Sequence, residues 1–285
     1  MKKFLTIILC AGIFLLVNCV YAAPDADNES LAKRKVEEAI NFNKRGDSAG
    51  AIKLCGEAIE LKPDYYFAYV IRGAIYTNKK DYLQAIEDLN KAAELEPNFS
   101  GTYYTRGRAY QALQKYQPAL ADFNKTIELS PDYEEAYFIR GTIYAGLEKP
   151  QLALKDFNKA IELNPNKAEN YVSRGMSYVM LDKSQLAFKD CNKALELDPN
   201  NAEAYDIRGL IYSGINQHEI AIQNYDKAIK LNPKMATAYL HRGLAYGALN
   251  NKKKALADWK KAIALDPKLS EMYINRVSEI IYGEN

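Results

Sequence analysis

The sequence predicts an all-α fold, a solenoid of antiparallel helix pairs, and three observations carry that prediction. An Arg-Gly pair returns every 34 residues, at Arg72-Gly73, Arg106-Gly107, Arg140-Gly141, Arg174-Gly175, Arg208-Gly209 and Arg242-Gly243. A proline keeps the same period from Pro63 to Pro267, with no insertion or deletion between them. Inside each period, apolar and small residues recur at helical spacing, twice, with a polar break between. A fixed period of roughly 20–50 residues marks a solenoid, propeller or array. Helical rather than strand periodicity selects the solenoid, in which each unit packs only on its neighbours.

One period, Tyr66 to Phe99, gives the elements. With Tyr66 as position 1, Tyr69, Gly73 and Tyr76 at positions 4, 8 and 11 share the face of a first helix. Ala85, Leu89, Ala92 and Ala93 at positions 20, 24, 27 and 28 define a second. Thr77–Asp81 reads as the turn, with Asp81 placed to cap the second helix. Glu96-Pro97-Asn98 ends that helix, because proline cannot continue one and restricts the residue before it. Glycine at position 8 and alanine at position 20 let the paired backbones approach closely.

These landmarks resemble the tetratricopeptide repeat (TPR), a 34-residue helix-turn-helix unit. Position 4 is Tyr69, Tyr103, Tyr137, Tyr171, Tyr205 and Tyr239, and position 11 is Tyr76, Tyr110, Tyr144, Tyr178, Tyr212 and Tyr246. Position 24 holds Leu89, Phe123, Phe157, Cys191, Tyr225 and Trp259. Departures from the family pattern are Tyr for Trp at position 4 and Arg for Leu at position 7. The resemblance implies a right-handed TPR-type α-solenoid over residues 31–285. It has an atypical first unit over 32–65, six full repeats over 66–269 and a C-terminal capping helix over 270–285.

The N-terminus reads as an address. Lys2 and Lys3 precede an apolar run from Phe4 to Val17, too short for a typical membrane span. Val20-Tyr21-Ala22 suits cleavage after Ala22, giving a signal peptide over 1–22 and a polar leader over 23–30. The expected location is therefore exported, periplasmic or secreted. A competing lipobox, Leu16-Val17-Asn18-Cys19, would anchor the chain to a membrane through Cys19, and Asn18 fits it poorly.

Composition narrows the function. Lys+Arg 38 against Asp+Glu 36 falls to 36 against 36 once Lys2 and Lys3 are removed, so no net charge draws the chain to nucleic acid. Only His218 and His241 represent histidine, and no catalytic triad, phosphate-binding glycine loop or metal-spaced cysteine pair stands out. A non-enzyme without cofactor or metal is expected. Cys55 and Cys191 occupy the same repeat position 136 residues apart, so both are expected to be free and buried.

Positions that vary between repeats are free to meet a partner. The resemblance implies that the first helices line a concave groove through positions 5 and 9. At position 5 these are Val70, Tyr104, Phe138, Val172, Asp206 and Leu240. At position 9 the groove residues are Arg108, Thr142, Met176, Leu210 and Leu244, alongside Ala74. The groove is expected to be mostly apolar, with one cation and one anion, and to bind a protein or peptide segment. Position 5 could instead pack between neighbouring first helices. Lys and Asn are absent as a set from positions 5 and 9, which argues against a clamp for a C-terminal carboxylate. Arg at position 7 and Asp at position 23 occur together, as a structural pair would. Lys252, Lys253, Lys254, Lys260 and Lys261 make the last full unit basic. The expected function is a non-catalytic scaffold or adaptor of the bacterial cell envelope. The alternative is a structural envelope protein that self-associates into homo-oligomers.

Overall fold

A computed structural model describes residues 27–269. It is all-α: α1 (27–44), α2 (Ser48–Leu61), α3 (Tyr66–Asn78), α4 (Tyr82–Leu95), α5 (Ser100–Ala112), α6 (Tyr116–Leu129), α7 (Glu134–Gly146), α8 (Pro150–Leu163), α9 (Ala168–Val179), α10 (Ser184–Leu197), α11 (Ala202–Gly214), α12 (His218–Leu231), α13 (Ala236–Ala248) and α14 (Lys252–Leu265). Odd-numbered helices are the first members of each pair. The chain forms two compact units, one ending at Ala136 and the other beginning at Tyr137. The expected signal peptide and capping helix lie outside the described residues. The expected leader over 23–30 is helical from residue 27. There Glu29 pairs with Lys33 at 2.6 Å one turn on and reaches Lys62 at 3.3 Å just past α2.

Each first helix ends the same way. The N–H of Asp81 donates to the carbonyl of Tyr76 at 2.9 Å, and Lys115 to Tyr110, Lys183 to Tyr178 and Asn251 to Tyr246 repeat the bond. This is the six-to-one closure of a Schellman motif, and it requires a left-handed residue just before the donor. Gly46 supplies it in the first unit at φ 89°, whereas Lys80 (φ 68°), Gln114 (φ 57°) and Glu148 (φ 55°) do so with side chains that resist it. Asp182, Asn216 and Asn250 are the residue types that tolerate it better. Asp81 occupies the N-cap of α4 but makes no capping bond there, a correction to the sequence reading. Side-chain caps occur instead at Asp47, Asn201 and Asn251.

The second helices α4, α8, α10, α12 and α14 stop at a residue whose side-chain oxygen accepts the N–H two residues on. Asp198 Oδ1 receives Asn200 at 3.0 Å and Asn232 Oδ1 receives Lys234 at 3.1 Å. The proline between has no N–H to leave unmet. Its carbonyl then accepts the position-4 hydroxyl of the next repeat: Tyr103 to Pro97 and Tyr171 to Pro165, both at 3.0 Å. That bond accounts for tyrosine at position 4.

The core alternates small and large residues. Ala85, Ala119, Ala153, Ala187, Ala221 and Ala255 are fully buried, and a large side chain at position 24 lies against glycine at position 8. Arginine at position 7 joins three elements. Arg106 donates Nε and Nη2 to Asp122 at 2.9 and 2.7 Å, and Nη1 to Asn90 of the preceding second helix at 2.8 Å. The same fork holds Arg72 to Asp88, Arg140 to Asp156 and Arg242 to Asp258, while Arg208 meets Asn224 at 2.7 Å. Each guanidinium also sits over the position-4 ring, as in Arg208 over Tyr205 at 5.0 Å.

Candidate functional site

The first helices divide the expected groove residues into two sets. Val70, Val172 and Leu240 are buried, and Asp206 is 2% exposed. Position 5 is therefore largely covered, which corrects the expectation that its whole row faces a partner, and Val172 and Asp206 contribute only as part of a cavity wall. The reason is rotational: position 5 is next to position 4, which turns towards the preceding repeat, so short side chains there are covered. Only the long aromatic ones reach outward. Tyr104 stays half-buried against Phe123 and Tyr133, at 6.2 and 4.7 Å between ring centres, with Arg108 over its face at 5.9 Å. Phe138 is half-buried on Phe157, with Lys167 Nζ 5.2 Å from its ring centre. Position 9 is open. Arg108 and Thr142 are exposed, and Met176, Leu210 and Leu244 are half-buried.

In the second unit a cavity of about 500 Å³ opens across α7, α9, α11 and α13. Thr142, Val172, Met176 and Asp206 line it together. Phe138, Leu210, Leu240 and Leu244 are not among its lining. Residues the sequence reading did not place there include Met180, Met235, Glu203 and His241. In the first unit Arg108 borders a smaller hollow of about 320 Å³ with Thr77, Tyr82 and Gln111.

Asp206 and His241 are the polar centre of the larger cavity. Asp206 Oδ1 lies 2.9 Å from His241 Nδ1. The imidazole lies 5.9 Å from the Tyr225 ring, and burial pushes the Tyr225 hydroxyl well above its ordinary pKa, with the Asp206 charge adding to the effect. Ser213, which bonds that hydroxyl, is 3.3 Å from His218 Nδ1. Tyr225 thus stands between the two histidines, touching His241 through its ring and reaching Ser213, the neighbour of His218, through its hydroxyl. No sequence spacing announced it, because Asp206 and His241 are separated by one period plus one residue.

No groups of three or more His, Cys, Asp or Glu able to hold a metal occur among the described residues. Cys55 and Cys191 are unbridged and fully buried, and burial pushes both thiols up to about 12. None of the described helices is long and apolar enough to cross a membrane.

Stacked helix pairs joined by repeated Arg–Asp forks, with a row of exposed and half-buried first-helix side chains, define an α-solenoid. The chain belongs to the tetratricopeptide repeat family. Family models described as tetratricopeptide repeat match residues 101–133, 134–167 and 236–269, and further ones match 68–99, 168–201 and 191–223, with a TPR repeat model over 209–250. The solved structure of YrrB, described as a TPR protein with an unusual peptide-binding site, is 27% identical with a TM-score of 0.57, covering 65% of this chain and 95% of that one. A TPR protein from Parabacteroides merdae shares the fold at 20% identity and a TM-score of 0.69, covering 89% of this chain and 98% of its own. Pseudomonas aeruginosa pilF shares it at 14% identity and 0.66, covering 74% and 96%. No curated protein sequence matches the chain. Members of the family generally mediate protein–protein interactions and are generally non-catalytic.

Proposed function

We propose that this protein is an exported, non-catalytic adaptor of the bacterial cell envelope that holds a segment of a partner protein along its first helices. The observation that carries the reading is the cavity across α7, α9, α11 and α13, open to solvent and walled by Val172, Met176 and Phe157. Apolar surface left open on a soluble repeat array is the ordinary mark of an interaction site. The peptide-binding site described for YrrB supports the reading at the level of the family. Export rests on the N-terminal Lys2-Lys3 and apolar run, with release after Ala22.

Chemical crosslinking of envelope fractions with the mature chain, lacking residues 1–22, tests both halves of the proposal. The expected result is a heterologous adduct in the periplasmic fraction that Met176→Lys abolishes while the melting temperature holds. Adducts of this chain with itself alone would replace the adaptor by a self-associating structural protein. A diacylglyceryl group on Cys19 would replace soluble export by a membrane anchor.

A further inference from the structure

Asp206 and His241 each break the pattern of their own repeat position, and they meet. Position 5 is Val70, Tyr104, Phe138, Val172 and Leu240 in the other full repeats, and Asp206 in α11 alone. Position 6 is Ile71, Thr105, Ile139, Ser173 and Ile207 elsewhere, and His241 in α13 alone. The two exceptions face each other at 2.9 Å on the cavity wall. A carboxylate buried to 2% exposure is costly where valine or leucine would pack. The bond between them offsets part of that cost, and two such exceptions meeting on one cavity wall point to a site. The imidazole engages one oxygen of a group that accepts about four hydrogen bonds. Glu203, one turn earlier on α11, is exposed at the same cavity and adds a second negative charge. No lysine or arginine is among the residues lining it. The apolar walls include Met176, Met180 and Met235, whose unbranched side chains adapt to varied shapes.

We propose that this cavity selects partner segments in which an arginine or lysine stands beside a leucine, methionine or phenylalanine. The apolar side chain enters between the methionines, and the cation pairs with the exposed carboxylate of Glu203, with buried Asp206 behind it in the cavity wall. The assignment rests on the groove being a partner-binding surface and specifies what it accepts.

A phage-displayed library of random dodecapeptides, panned on the mature solenoid, tests it. Selected clones are expected to carry Arg or Lys within two residues of Leu, Met or Phe. A synthetic peptide from the strongest clone should bind at least ~10-fold more weakly to Glu203→Lys, an exposed change. Asp206→Leu together with His241→Ile restores the apolar residues of both positions and leaves no buried partner unpaired, so the double variant is expected to bind the peptide more weakly while melting no lower than the wild type. Clones without a basic residue, or equal binding by both variants, would overturn the assignment and leave the groove itself standing. A melting temperature lowered by the double variant would make the pair architectural and overturn it too. A library that yields no binder at all would remove the partner-binding reading along with it.

Discussion

Arg174 holds Asp190 with two parallel bonds, Nε to Oδ2 at 2.8 Å and Nη2 to Oδ1 at 2.7 Å, and turns its remaining Nη1 to Asn158 at 2.8 Å. One guanidinium thereby ties the two helices of its own repeat to the repeat before. The aspartate is nearly buried and the arginine mostly so, and the hydrogen bond to Asp190 is the main reason the Arg174 pKa rises. Charge-assisted forks of this geometry are the strong members of their class.

Removing one partner is expected to cost far more than removing both. Asp190→Ala leaves a desolvated guanidinium and should destabilise the protein by about 3–5 kcal/mol, whereas Arg174→Met with Asp190→Leu should fall close to neutral. Asp190→Asn should cost only about 1 kcal/mol, since Arg208 and Asn224 already use that combination. Denaturant midpoints of the three variants check the order. Equal losses for the single and double changes would show that the fork adds nothing beyond packing.

Glycine at position 8 is required to different degrees. A Cβ on Gly209 would run into Tyr225, with Cδ1 at 2.7 Å, so Gly209→Ala is expected to cost about 1–3 kcal/mol. A Cβ on Gly175 meets only ordinary contacts, Cys191 Sγ at 3.6 Å among them. Gly175→Ala should therefore be neutral or stabilising by up to about 1 kcal/mol through helix propensity. Thermal melts of the two variants separate these outcomes. A Gly175→Ala variant as damaged as Gly209→Ala would contradict the packing described.

The buried thiols set a pH dependence. Cys55 and Cys191 stay protonated in the fold up to about 12, against about 8.5 for an unfolded cysteine. Their raised folded pKa means the fold holds its full advantage below the unfolded value and loses it as pH climbs from about 9 towards 12. In the mature chain neither thiol should react with a thiolate-directed reagent at neutral pH until denaturant is added. The Cys55→Ala, Cys191→Ala variant should show a shallower alkaline loss of stability than the wild type. Rapid labelling of native protein would place the sulfurs at the surface.

The sequence by itself determined the helix pairs, their boundaries to within a residue or two, and the Arg–Asp forks. Each is repeated at a fixed period, and a contact needed by every unit leaves its residues in every unit. Pro97 and Tyr103 illustrate it, since both recur because one bonds the other. Tertiary structure alone decided which groove positions are open. Position 5 and position 9 look equally variable in sequence, yet Val172 is buried and Thr142 exposed. The difference lies in which way each helix is rotated against its neighbours. It also decided that Asp206 and His241 meet. Each occurs once, so neither has a period to be read, and only the stacking of α11 against α13 brings position 5 of one repeat to position 6 of the next.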